Sequence, residues 1–216
     1  MSLEYRIVPV TPFEQNCSVV WCTETKKAAV IDPGGDIERV LAVLEQEQLE
    51  CEKILLTHGH LDHAGGAQPL SEKLQVNIVG PHSDDKFWLD AITEHTRNYG
   101  LTGMVNCSPD KWLDNDKSVM VGNQTLDIYH CPGHTPGHII FHHKESQLAV
   151  VGDVLFHGSI GRTDFPRGDH QTLLDSIVNN LWPLGNDTRF IPGHGPMSTF
   201  GEERQSNPFV SDSALS

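Results

Sequence analysis

Residues 58–63 read His-Gly-His-Leu-Asp-His and follow, after Thr57, the predicted strand Lys53 to Leu56. This hexapeptide constrains the fold more than any other feature, because one strand end must deliver four potential metal ligands into a common space. In extended backbone His58 and His60 point to the same side. The turn toward Gly65-Gly66 then brings Asp62 and His63 round to a neighbouring point. A solvated polar loop has no need of glycines around such a set, so a metal centre is the expectation.

Three further candidates share the same local grammar, an apolar run ending beside glycine: His134 in CPGHTPGH, Asp153 in VVGD and His194 in PGHGP. Taken together, His58, His60 and His134 make a three-nitrogen set, Asp62, His63 and His194 make a second, and Asp153 is the natural bridging carboxylate. Such nitrogen and oxygen donors suit Zn²⁺, with Fe or Mn as alternatives, and two ions per chain are expected. Two metals a few ångströms apart lower the pKa of a bridging water, polarise a substrate oxygen and receive the leaving group. Hydrolysis is therefore the leading reaction class. His138 is expected to support the ligands rather than join them, since seven ligands already fill two sites. The other histidines have no matching spacing and are expected on the surface or satisfied in the core. Cys131 is expected to pack as a small hydrophobe.

Charge narrows the partners. Among 216 residues, Lys and Arg number 15 against 29 Asp and Glu, giving a net charge of −14 that disfavours nucleic acid and anionic membranes. Five cysteines, an odd number without a CxxC pair, suggest neither a disulfide framework nor a thiolate zinc site. No apolar run approaches the roughly 18 residues of a membrane-spanning helix. The opening MSLEYRIVPVTPFEQ lacks a basic segment followed by an apolar one, so a cytoplasmic location is expected. Residues 1–216 fit one domain, with monomer or weak dimer left open.

Patterning along the chain predicts strands at Tyr5 to Val10, Cys17 to Trp21 and Ala28 to Ile31, read as an antiparallel meander. Asp36 is expected to N-cap a helix whose apolar face carries Ile37, Val40, Leu41 and Leu44. After the Lys53 to Leu56 strand come a helix near Ala67 to Leu74, a strand Val76 to Val79 and a helix from Asp84 to Asn98. Strands at Ser118 to Val121, Thr125 to His130, His138 to Phe141 and Leu148 to Val151 lead to a helix near Gln171 to Trp182 and a strand Arg189 to Ile191. Helices between groups of strands argue for two sheets packed face to face with helices outside. The tail after Ser206 is expected to be loosely held.

In this order, HGHLDH, PGHTPGH, VVGDVLF and PGHGP resemble the metallo-β-lactamase superfamily, which implies an α+β fold, a four-layer αββα sandwich with metals at one sheet edge. Asp153, where class B β-lactamases carry a cysteine, and the motifs THGHLDHAGG and CPGHTPGH are similar to the hydroxyacylglutathione hydrolase (glyoxalase II) family. From YRIVPV through GRTDFPRGD to the final NPF, the chain resembles that family's short bacterial YcbL-type branch. The resemblance implies hydrolysis of S-D-lactoylglutathione, or a related hydroxyacyl thioester, to D-lactate and glutathione. It places His58, His60, His134 and Asp153 at one metal and Asp62, His63, Asp153 and His194 at the other, with Asp62 orienting the attacking hydroxide and taking its proton.

Two departures from the family concern glutathione. No C-terminal helical domain is expected after His194, and Gly161 to Phe165 replace the Lys and Tyr that follow the bridging Asp in full-length members. Arg162 and Arg167, the Lys or Arg residues between Glu145 and Thr188, are then the expected anchors for a substrate carboxylate, against the alternative of ion pairs with Asp164 or Asp169. Phe87 and Trp88 either roof the pocket or belong to the core. The runner-up function is a mononuclear Fe(II) persulfide dioxygenase using His58, His134 and Asp153, because GRTDF and EERQSNP also resemble that class. A lactonase or β-lactamase-like hydrolase and a non-catalytic metal-binding module rank below it.

Overall fold

The computed structural model describes residues 2–215. The first sheet takes β1 (Leu3–Val10), β2 (Gln15–Cys22), β3 (Lys27–Ile31), β4 (Glu50–Leu55) and β5 (Asn77–Val79), in that spatial order. Its first three strands are the expected antiparallel meander, while β3, β4 and β5 run parallel. Helices α1 (Ile37–Gln46), α2 (Leu61–Ala64) and α3 (Ala67–Leu74) lie in the connections between these parallel strands, and α4 (Lys86–Asp90) and α5 (Ile92–Asn98) follow β5.

The second sheet is formed by β6 (Ser118–Val121), β7 (Gln124–His130), β8 (Ile139–His143) and β9 (Leu148–Gly152). After the small hairpin β10 (Leu155–Phe156) and β11 (Ser159–Ile160) come α6 (His170–Ser176), β12 (Arg189–Pro192), β13 (Ser198–Thr199) and α7 (Phe200–Ser206). β12 joins β9 in parallel and β13 closes the edge, giving the order β13-β12-β9-β8-β7-β6.

Alternation along the strands shows why the layers stack. In β3, Ala29 and Ile31 face the second sheet while Ala28 and Val30 face α1 and α3. In β8, Ile139 and Phe141 face the first sheet while Ile140 faces the outer layer holding Leu173 and Phe200. With both faces covered, these strands are buried along nearly their whole length. Three apolar cores separate four layers, helices outside two sheets, the αββα sandwich expected from the sequence.

Several local expectations are corrected. Asp36 precedes α1 but forms no side-chain cap; its carboxylate instead accepts the Thr11 amide at 2.8 Å. The helix predicted over Asp84 to Asn98 breaks at Ala91, because Asn106 inserts there, accepting from the Thr93 amide at 2.8 Å and donating to the Asp90 carbonyl. The helix predicted to Trp182 is α-helical only to Ser176, then widens and ends in a tight turn where Pro183 has no amide to donate. The tail after Ser206 is tied down: Asn207 and Val210 are fully buried, and the Asn207 amide reaches the Ser159 carbonyl at 3.1 Å.

Candidate metal centre

Four chain segments end at one edge of the sandwich. The loop after β4 brings His58 and His60, and α2, which begins inside the hexapeptide, brings Asp62 and His63. His134 follows β7, Asp153 follows β9 and His194 follows β12. β12 and β9 pair directly, β7 lies one strand beyond β8, and β4 belongs to the facing sheet, so residues more than a hundred positions apart arrive together.

Two groups form. His60 Nδ1 lies 3.2 Å from His58 Nε2 and 3.0 Å from His134 Nε2. Asp62 Oδ2 lies 3.1 Å from His194 Nε2 and 3.9 Å from His63 Nε2. Asp153 stands between the groups, with Oδ1 at 3.3 Å from His63 and Oδ2 at 3.5 Å from His134 and 3.8 Å from His194. Tetrahedral ligands around a zinc ion sit about 3.4 Å apart, which these separations approach. His58 and His63 are fully buried and His134 nearly so, whereas His194 keeps 31% of its side chain exposed.

Hydrogen bonds on the far side of four of the five rings show that the donor set fits metal ions. His63 Nδ1 donates to Asp32 Oδ2 at 2.9 Å, His134 Nδ1 to the Arg162 carbonyl at 2.7 Å, and His194 Nδ1 to the Phe13 carbonyl at 3.1 Å. His58 Nδ1 meets the Thr57 hydroxyl at 3.0 Å, and that hydroxyl is itself committed as donor to Asp32. Four rings thus hold their N–H outward and present the Nε2 lone pair inward. Facing the groups, buried His63 Nε2 and Asp153 Oδ1 have no hydrogen-bond partner, and neither has His60 Nε2, on the far side of the one ring that turns Nδ1 inward. Burial first, then neighbouring rings, holds His58 well below the usual histidine range, in the neutral ligand form. Burial also opposes charge on His63, yet Asp153 and Asp62 outweigh it and push that ring well above its usual range. The carboxylates demand positive charge at that point, which a proton or a cation supplies.

His138 lies beside the ligands without joining either group. Its Nε2 accepts the Asp153 amide at 3.1 Å and its ring stacks on His58 with centroids 4.6 Å apart. His143 is a satisfied core residue, bonded to Ser146 and Gln124, and Cys131 packs in the outer core. His82, His130 and Asp84 form another cluster, but the two rings stack 10° from parallel at 4.4 Å, so their in-plane lone pairs do not converge on one ion.

The centre opens into a cavity of about 730 Å³ whose walls include Trp88, Phe165, Tyr99, Phe13 and Arg162. The Arg162 guanidinium, expected as an anchor, donates two hydrogen bonds to Asp164, Nε to Oδ1 at 2.9 Å and Nη2 to Oδ2 at 2.8 Å, and stacks 4.5 Å over Phe165. Arg167 does not reach the cavity wall; it stacks 4.6 Å over Phe87 and pairs with neither Asp164 nor Asp169. Trp88 is both roof and core, 6% exposed yet edge-on to His60 at 4.4 Å.

Asp32, Thr57 and Asp85 were not singled out in the sequence. Asp32 carried a usable signal, since VIDPGGD has the same strand-end-plus-glycine grammar as the ligand motifs. Asp85 carried none, lying within a stretch patterned as helix.

Comparisons with known proteins agree with this geometry. The family model of the Metallo-beta-lactamase superfamily matches residues 10–194. Hydroxyacylglutathione hydrolase GloC of Haemophilus influenzae is 46% identical over 209 residues, 96% of this chain and 98% of that protein. Among solved structures, BLEG-1 B3 metallo-beta-lactamase superposes with a TM-score of 0.88 at 37% identity, covering 96% of this chain and 99% of the other. TTHA1623 in a di-iron-bound form gives 0.83 at 34% identity, covering 95% and 100%. With the sandwich, the paired His and Asp groups at its edge and a family match across most of its length, this chain belongs to the metallo-beta-lactamase superfamily.

Proposed function

We propose that the protein is a metal-dependent thioester hydrolase of the glyoxalase II type, converting S-D-lactoylglutathione or a related hydroxyacyl thioester to the hydroxy acid and free thiol. One observation carries the reading: both ligand groups, joined by Asp153, face an open cavity of about 730 Å³ rather than a closed core. A purely structural metal site has no use for that opening. The 46% identity to a hydroxyacylglutathione hydrolase supports the substrate class.

His58, His60, His134 and Asp153 would hold one ion, and Asp62, His63, His194 and Asp153 the second, zinc being expected and iron or manganese compatible with the same donors. Bound there, the metals would supply an activated water, a Lewis acid for the carbonyl oxygen and a soft acceptor for the departing thiolate. Burial pushes the Asp62 carboxyl up, but His63 and the bond from His194 outweigh it and hold the group below its ordinary value. It therefore stands ionised at the cavity floor, placed to orient the attacking water and to take its proton on Oδ1, the oxygen turned from His194. Trp88 and Phe165 shed water from the reacting carbonyl, and Arg162 meets a substrate carboxylate by exchanging it for Asp164.

A one-metal persulfide dioxygenase would need only His58, His134 and Asp153; the complete second group of Asp62, His63 and His194 favours hydrolysis. The test follows loss of S-D-lactoylglutathione absorbance with metal-loaded and chelator-stripped protein, alongside oxygen uptake on glutathione persulfide. Metal-dependent thioester loss without oxygen uptake is expected. Oxygen uptake with no thioester loss would overturn the reading.

A further inference from the structure

Asp85 is fully buried and lies outside both ligand groups, in the single turn preceding α4. Its Oδ2 accepts the Gly59 amide at 2.8 Å and the Thr135 hydroxyl at 2.8 Å, and its Oδ1 accepts the Gly137 amide at 2.6 Å. Gly59 separates His58 from His60, and Thr135 adjoins His134. One carboxylate therefore spans the two loops that supply the three-nitrogen group.

The joint is close-packed as well as hydrogen-bonded. A methyl on Gly59 would fall 2.7 Å from Trp88 Cβ, and one on Gly137 would fall 2.6 Å from the Asp85 nitrogen and 2.7 Å from its Oδ1. The His82 amide donates to the Gly137 carbonyl at 3.2 Å, so the second loop is gripped from both sides. The other group is held differently: His63 by Asp32 and His194 by the Phe13 carbonyl, with no bond from Asp85 to Asp62, His63 or His194 among the described residues.

We propose that Asp85 is a positioning residue that sets the spacing of the Gly59 and Thr135-Gly137 loops, and through them the metal affinity of the His58, His60 and His134 group but not of the Asp62, His63 and His194 group. The inference rests on the reading of these groups as metal ligands. Charge-assisted hydrogen bonds are strong and directional, and a buried carboxylate accepting two from backbone amides and one from a hydroxyl leaves its partners little freedom. A support of this kind is worth about 10–100-fold in metal affinity.

The experiment titrates zinc into chelator-stripped full-length protein by calorimetry, with cobalt in parallel followed by visible absorption. Wild type, Asp85→Asn, Thr135→Val and Asp32→Asn are compared. Wild type is expected to take up two equivalents. Asp85→Asn is expected to weaken one of them about 10–100-fold and to change one cobalt spectrum, leaving the other within about threefold. Asp32→Asn, which loosens His63 directly and His58 through Thr57, should weaken both equivalents and marks how a support shared by the two groups behaves. Equal weakening of both equivalents by Asp85→Asn would assign Asp85 to general stability, and unchanged binding would remove its role; either overturns the proposal. If Asp85→Asn fails to fold by near-ultraviolet circular dichroism, Thr135→Val decides, expected to weaken the same single equivalent about fivefold through one lost hydrogen bond. No shift there also overturns it. A wild type that binds no stoichiometric zinc would defeat the metal reading itself, and the proposal with it, a result visible before any variant is compared.

Discussion

His58 and His63, just beneath the floor of the cavity, are fully buried, whereas Arg162, on its wall, and Asp164, paired with it, each leave 67% of the side chain exposed. Floor residues are fixed through their far sides by Asp32, Thr57 and backbone carbonyls. Wall residues hold one another: Arg162 with Asp164, Phe13 edge-on to Tyr99 at 5.8 Å. Substituting the floor therefore removes a group whose neighbours cannot relax, while substituting the wall changes contacts that water can replace. The floor sets what chemistry is possible and the wall sets which molecule is admitted.

The sharpest test of this division is Asp153→Ala, which removes the carboxylate shared by both groups. Turnover should fall by about three orders of magnitude or more, with metal content reduced. An active, fully metallated variant would break the account of the floor. Next in size is Asp32→Asn, which keeps the shape of the side chain but weakens its hold on His63 and Thr57. By metal titration, affinity should drop about 10–100-fold at the group of His63, which Asp32 contacts directly, and less at the group of His58, reached through Thr57.

On the wall, effects should be smaller and of opposite sign for the two partners. Arg162→Ala should raise KM for glutathione thioesters about three- to tenfold with kcat little changed. Asp164→Ala, which frees the guanidinium for a substrate carboxylate, should lower KM by a similar factor. Equal KM values across wild type and both variants would remove Arg162 from substrate binding. The smallest effect is expected for Tyr99→Ala: with 61% of the residue exposed, thermal stability should change by no more than about 0.5 kcal/mol, and KM should carry whatever effect there is. A large loss of stability would show that the wall is more tightly built than its exposure implies.

Legibility in the sequence followed the same division. Strand alternation in YRIVPV and the apolar run before HGHLDH exposed the sheets, because burial acts residue by residue with a fixed period. Interruptions were hidden: the break at Ala91 depends on Asn106, fifteen residues on, and the end of the α6 region on a local change of helix type. The motifs around His58, His134, Asp153 and His194 stood out because each combines an apolar run with glycine and a ligating side chain. Arg162 was legible as a cation in an acidic chain, but its commitment to Asp164 was only one of two alternatives, and its carbonyl's grip on His134 had no sequence signature at all.

By itself the sequence determined the layered αββα architecture and the identity of the side chains with metal-binding chemistry, since both are written in short-range pattern. Tertiary structure alone decided how those side chains are aimed. Asp32 reaches His63 across 31 positions, Asp85 reaches Gly137 across 52, and the Arg162 carbonyl reaches His134 across 28. Hydrogen bonds of this kind have directions set by the packing of two sheets, and no local pattern encodes a direction in space.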